Sequence, residues 1–176
     1  MRELVDIKIF MNTDEQLRKH WKIKRDVRER GYNKTQVIEQ IESRTEDSKK
    51  YIKPQIDFAD LIIKYSLLTD FELDAYKESP ISASYCFDNS INIEPLLNYL
   101  SQIKTLNIKY SSLSDLIHQQ LDVSGNISSQ EIEKIAYSLE LNFDELNIIK
   151  PEWLDNYSGI TQLIFLLIYN EKMRAK

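Results

Sequence analysis

Asp14-Glu15-Gln16-Leu17-Arg18-Lys19-His20-Trp21-Lys22-Ile23-Lys24-Arg25-Asp26-Val27-Arg28-Glu29-Arg30-Gly31 is the stretch on which the reading of the fold turns. Asn12, Thr13 and Asp14 form an N-cap cluster, and Glu15 puts negative charge in a first helical turn, where the peptide dipoles favour it. The predicted helix runs from about Asp14 to Arg30 and stops at Gly31, the residue type that enters left-handed backbone at least cost. At about 100° per residue, Leu17 and Trp21 fall on one flank of the inner arc and Ile23 and Val27 on the other. Arg18, Lys22 and Arg25 gather within about 60° of one another on the opposite side, and Arg28 and Arg30 follow one turn later beside the glycine.

Outward from this helix the pattern alternates. Val5, Ile7 and Ile9 interleave with Asp6 and Lys8, which predicts a strand over Val5–Met11. Asn33 with Gln36 resembles a capping box opening a second helix, with Val37, Ile38 and Ile41 inward. Pro54 is expected to end that helical run after Tyr51 and Ile52, and a buried strand follows over Ala59–Tyr65. Further strands are predicted at Thr69–Tyr76, Ile81–Phe87, Leu106–Tyr110 and Gln119–Ser124, and helices at Glu94–Ile103, Ser129–Leu139 and Ile160–Met173. No repeat or low-complexity tract interrupts them, so the class is α/β with some antiparallel pairing.

Composition narrows the chemistry. The 176 residues allow one ordinary domain or a compact piece of a larger one, and 42% hydrophobic with 29% charged residues is a soluble globular balance. The three glycines, Gly31, Gly125 and Gly159, are isolated and none precedes lysine, so neither G-x-x-x-x-G-K-S/T nor G-x-G-x-x-G occurs. One cysteine, Cys86, excludes an internal disulfide and any two-thiolate site, and two histidines exclude a three-histidine metal site. No metal site is expected. The N-terminus carries no signal pattern, and the longest apolar stretch, Leu163–Tyr169, falls short of the ~20 residues a bilayer requires. The expected compartment is cytoplasmic, without a membrane partner.

Charge is concentrated. Between Arg18 and Lys34 eight basic side chains face two acidic ones, a net +6, so the rest of this −5 chain carries −11. Guanidinium groups converging beside a helix end suit phosphate oxygens, which they bind bidentately. A solvated basic face is the competing reading. Nucleic acid is a third, weakened by the acidic remainder and by the lack of aromatic interleaving.

The run His20 to Tyr32 is similar to the lid segment of the phosphoribulokinase/uridine kinase family, with its R-D-x-x-x-R-G core after an aromatic residue. Ile41-Glu42-Ser43-Arg44 with Asp47, Tyr51-Ile52-Lys53-Pro54-Gln55 and Ala59-Asp60-Leu61-Ile62-Ile63 match in order and spacing, and resemble phosphoribulokinases more closely than uridine kinases. The likeness covers about residues 4–66. It implies the C-terminal part of a P-loop kinase core, with lid helices and late strands in residues 1–66, and an α/β extension containing antiparallel strands in residues 67–176. Members transfer the γ-phosphoryl of ATP to a sugar hydroxyl with a P-loop, Mg2+ and an aspartate base, and lid arginines close over the phosphates of nucleotide and acceptor. By this resemblance Arg25 and Arg30 take the two motif arginine positions, with Arg28 between them and Lys22 assisting. The P-loop, the metal-binding hydroxyl and the base would lie before Met1, in an N-terminal portion acting as partner. The chain alone is therefore expected to be inactive and to bind neither ATP nor Mg2+ tightly. The alternative is a non-catalytic assembly domain derived from the kinase fold, using residues 67–176 and open to self-association.

Other candidates read as structural. Asp70, Glu72 and Asp74 share a strand face that suits a solvated edge better than a cation. His20 reads as packed or as an extra lid cation, and His118 and Cys86 have no recognisable partner. Ser124-Gly125 lacks a nucleophile-elbow context, and Ile160–Tyr169 reads as a core helix.

Overall fold

In the computed structural model, which describes residues 5–68, 81–139, 141 and 151–174, strands and helices alternate. They are β1 (Ile9–Met11), α1 (Glu15–Arg28), α2 (Lys34–Ser43), α3 (Thr45–Asp47), β2 (Leu61–Leu67), β3 (Ile81–Asp88), α4 (Glu94–Leu100), β4 (Leu106–Ser112), β5 (His118–Gly125), α5 (Ser129–Ser138) and α6 (Asn156–Arg174). Strands pair in both senses, so the α/β class with antiparallel pairing stands. The chain divides into two compact units, residues 1–84 and 85–176, with β3 running across the division. The motif likeness ends earlier, near residue 66, because it follows sequence pattern and the division follows packing.

In the first unit β1 lies parallel to β2, with Ile9 opposite Leu61, Phe10 opposite Ile62 and Met11 opposite Ile63. The strand is shorter than its alternation predicts. Just before it the Lys8 N–H donates to Asp60 Oδ2 at 2.7 Å, a side-chain bond in place of a ladder bond. Past its end, Asn12 N–H donates to the Ile63 carbonyl and Asp14 N–H to that of Tyr65, both at 2.8 Å, which delivers the chain into α1. Asp14 caps that helix as predicted, its Oδ1 accepting from the N–H groups of Gln16 (2.9 Å) and Leu17 (3.4 Å). Gly31, at φ +69°, turns the chain out of α1, while Tyr32 N–H reaches back to the Asp26 carbonyl at 3.0 Å.

The Asn33–Gln36 capping box is present, and Val37 and Ile41, one turn apart, bury the inner face of α2. Pro54 does not end the helical path. A π-turn over Ser48–Ile52 passes into a 3-10 turn over Lys53–Phe58 that carries Pro54 in its first turn, where the missing N–H is not needed. β2 then buries Leu61 and Ile63 on alternate positions. The strand predicted at Thr69–Tyr76, with Asp70, Glu72 and Asp74, lies outside the described residues.

In the second unit β4 and β5 form an antiparallel ladder running from Leu106 opposite Gly125 to Ser112 opposite Gln119. Ser128 and Glu131 make the capping box of α5. α6 begins at Asn156, earlier than predicted, so Gly159 is inside the helix. A Cβ there would collide with the Leu154 carbonyl and the Ile132 side chain, so glycine is what allows α5 and α6 to approach. Leu96, Leu100, Leu121, Ile132, Leu163 and Ile164 fill the core between these elements. No helix among the described residues is long and apolar enough to cross a membrane.

Candidate phosphate-binding site

The outer face of α1 is bounded by an open groove of about 630 Å³, along which Arg18, Trp21, Lys22, Lys24, Arg25 and Arg28 are arrayed. Their spacing explains the alignment: positions 18, 21, 22, 25 and 28 recur at three and four residues, one stripe of a 3.6-residue helix. Of the four side chains expected to bind phosphate, Lys22, Arg25 and Arg28 line this groove. Arg30 does not.

Arg30 is joined to Arg25 by a carboxylate that the sequence reading leaves without a role. Asp26 Oδ1 accepts from Arg25 Nε at 2.8 Å and lies 3.2 Å from Arg30 Nη1. Its side chain is 3% exposed, whereas the two arginines are 47% and 55% exposed. The Arg25 hydrogen bond holds the Asp26 carboxyl below the usual carboxylate range. The charges of Arg25, Arg30 and Lys22 add to this against the opposing cost of burial. Arg25 is pushed up in turn by the Asp26 bond and charge. The motif arginines thus share an internal anion, and Arg25, bound only through Nε, keeps its terminal nitrogens for a further oxyanion. The four-residue step from Asp26 to Arg30 was the available signal for this pairing.

Arg18 is committed differently. Its Nε and Nη2 bind Glu15 Oε2 and Oε1 at 3.1 and 2.7 Å, and that hydrogen-bonded guanidinium keeps the Glu15 carboxyl below its ordinary range.

Trp21 departs from expectation. Leu17 is fully buried, but Trp21 is 40% exposed and opens onto the groove, with its ring 5.9 Å from that of Tyr65 at 67°. Val27, also placed on the inner arc, is exposed, and Ile23 is half-buried. Helix α1 packs through its N-terminal half and leaves the rest of its surface to solvent.

His20 is half-buried on α1. His118 does have a partner, Asp115, with Nδ1 and Oδ2 2.6 Å apart. The thiol of Cys86 is pushed up by burial and by the Asp115 charge, which disfavours the thiolate a nucleophile needs. Among the described residues no group of His, Cys, Asp and Glu side chains could hold a metal ion, so no residue here is assigned to magnesium.

Against known proteins, residues 1–71 match the model of the phosphoribulokinase / uridine kinase family, and this span contains the whole of β1, α1, α2 and β2. This N-terminal region belongs to that family. Over 64 residues, 36% of the chain, it is 38% identical to 19% of the phosphoribulokinase of Synechocystis. It is 39% identical over the same share to 16% of the chloroplastic phosphoribulokinase of Spinacia oleracea. A uridine kinase of Ligilactobacillus salivarius is 39% identical over 64 residues, 30% of its length. The matched segment therefore spans less than a third of each of these relatives.

Proposed function

We propose that the phosphoribulokinase-like region is a phosphate-clamping lid, and that the chain is the lid-bearing C-terminal portion of an ATP-dependent kinase acting on a sugar or sugar-phosphate hydroxyl. One observation carries this reading: Lys22, Arg25 and Arg28 converge on an open groove while Asp26 fixes the side of Arg25 that faces away from an incoming ligand. Cations held in place before the ligand arrives neutralise phosphoryl charge without reorganising, and closure over the groove excludes water. Arg30 acts through Asp26, keeping that carboxylate and hence Arg25 in register. ATP, Mg2+, the P-loop and the base are contributed with a partner portion, and the chain alone turns nothing over.

The test is the response of the whole chain to inorganic triphosphate. Triphosphate should raise the melting temperature, with the effect fading as salt is added. Arg25→Gln should weaken triphosphate binding about tenfold or more, since charge-assisted hydrogen bonds to an anion are the strong ones. No stabilisation by triphosphate, or an unaltered response in the variant, removes the assignment.

A second reading, assembly, is favoured by β1. It is a parallel strand with Ile9 and Met11 exposed, and its outer edge meets no strand among the described residues. Parallel strands are ordinarily covered on both sides, and an open apolar edge invites another strand. A P-loop-bearing portion fits this edge, so the two readings meet in one partner. A concentration-dependent dimer in sedimentation, indifferent to triphosphate, would favour self-assembly over the clamp.

A further inference from the structure

The groove is electrically uneven along its length. At the Trp21 end Arg18 is neutralised by its two bonds to Glu15, so an indole and a satisfied ion pair face the ligand. At the other end stand Lys22, Lys24, Arg25 and Arg28, of which Arg25 presents free terminal nitrogens. A tryptophan left 40% exposed on a cationic helix face is out of place for packing, since its large apolar ring gains most from burial. The Trp21 ring is also braced against Tyr65, so it is held as a surface and does not swing freely.

We propose that Trp21 recognises a nucleobase and that the anion taken by this groove is a nucleotide, its base stacked on the indole and its phosphates along Lys22, Arg25 and Arg28. The inference rests on the phosphate-clamp reading and adds to it the identity of the anion. At 1.5 Å per residue Arg25 and Arg28 lie about 6 and 10.5 Å along the axis from Trp21, a base-to-phosphate separation across one ribose. A neutral flat ring at one end and a polyphosphate at the other match the two ends of the groove. A sugar phosphate has no π-face to offer the indole. Stacking of a base on an aromatic side chain is strong enough to change affinity by roughly tenfold or more.

The experiment compares three probes on the whole chain: ATP, inorganic triphosphate and ribose 5-phosphate. With Trp153→Phe, Trp21 is the only indole of the two in the sequence, and its fluorescence reports the site. Calorimetry on the unaltered chain gives the same affinities independently. ATP should quench Trp21 and bind about tenfold more tightly than triphosphate. Trp21→Ala should bring ATP down to the triphosphate level while leaving triphosphate unchanged, and Trp21→Phe should recover most of the difference. Equal binding of ATP and triphosphate, an equal loss of both in Trp21→Ala, or a preference for ribose 5-phosphate overturns the inference and leaves the clamp standing. Failure of all three probes to bind overturns the clamp, and the inference with it.

Discussion

The two compact units use apolar residues in opposite ways. Among the described residues of the second unit, eighteen hydrophobic side chains are buried and five large ones exposed; in the first, six are buried and ten exposed. Isolated exposed hydrophobics are ordinary, but ten against a core of six is too many for a unit finished on its own. The second unit, with Leu163, Ile164 and Ile132 fully buried and Gly159 admitting α6 against α5, is built to hold itself together. The first, with a bare strand edge and a helix whose cations face an open groove, is built to meet something else. Family likeness falls on that first unit, so the region matching a known kinase segment is the one whose surface is least complete.

The largest expected effect tests this contrast directly. Leu163→Ala removes a fully buried side chain from the second unit and should cost about 2–5 kcal/mol in urea unfolding. Phe58→Ala, in the first unit, deletes a ring that is half exposed and should fall within about 0.5 kcal/mol. If the two costs are alike, the apolar surface around β1 is packed in solution and the contrast fails. If Phe58→Ala becomes costly only at high protein concentration, self-association covers that surface.

Helix caps give a smaller, sharper comparison. Asp14→Ala and Ser128→Ala each remove a side chain accepting main-chain N–H groups, and each should cost about 1 kcal/mol if its helix is part of the cooperative fold. Should the first unit unfold separately, Asp14→Ala will shift only an early transition and Ser128→Ala only the main one. Amide exchange in α1 and α5 distinguishes the two outcomes.

What the sequence disclosed and what it withheld follows from the range of each interaction. The caps at Asp14, Asn33 and Ser128 and the turn at Gly31 are settled within four residues, and all were legible. So was the gathering of Lys22, Arg25 and Arg28, which one helical period fixes. Trp21 was misplaced because amphipathic periodicity says which residues share a face and not whether another element covers it. Arg30 was read as facing the ligand because a wheel plot does not show a buried carboxylate competing for it; the Asp26 bonds do. Pro54 was read as a stop, whereas a change from π to 3-10 hydrogen bonding lets the chain coil onward through it. His118 was unpartnered only until the β4–β5 turn brought Asp115 to it.

That turn supplies the smallest predicted effect, a local one in the self-contained unit. The Asp115 carboxylate accepts from the N–H groups of Ile117 and His118, each at 3.0 Å, while Leu116 takes a left-handed φ of 62° between them. The His118 side chain first, then these two N–H groups, hold the Asp115 carboxyl down at about 2. A carboxylate depressed by folding contributes stability above its unfolded pKa of about 3.9, and this contribution is lost as pH falls through the folded value near 2. Protection of the Ile117 and His118 amides should therefore decline between about pH 4 and pH 2, while the α5 amides hold. In Asp115→Asn those two amides should be less protected at neutral pH and lose that acid dependence. A decline of the α5 amides in step with the turn would mean that the hairpin and the helical core unfold as one piece, and that the second unit's stability has no local weak point at Asp115.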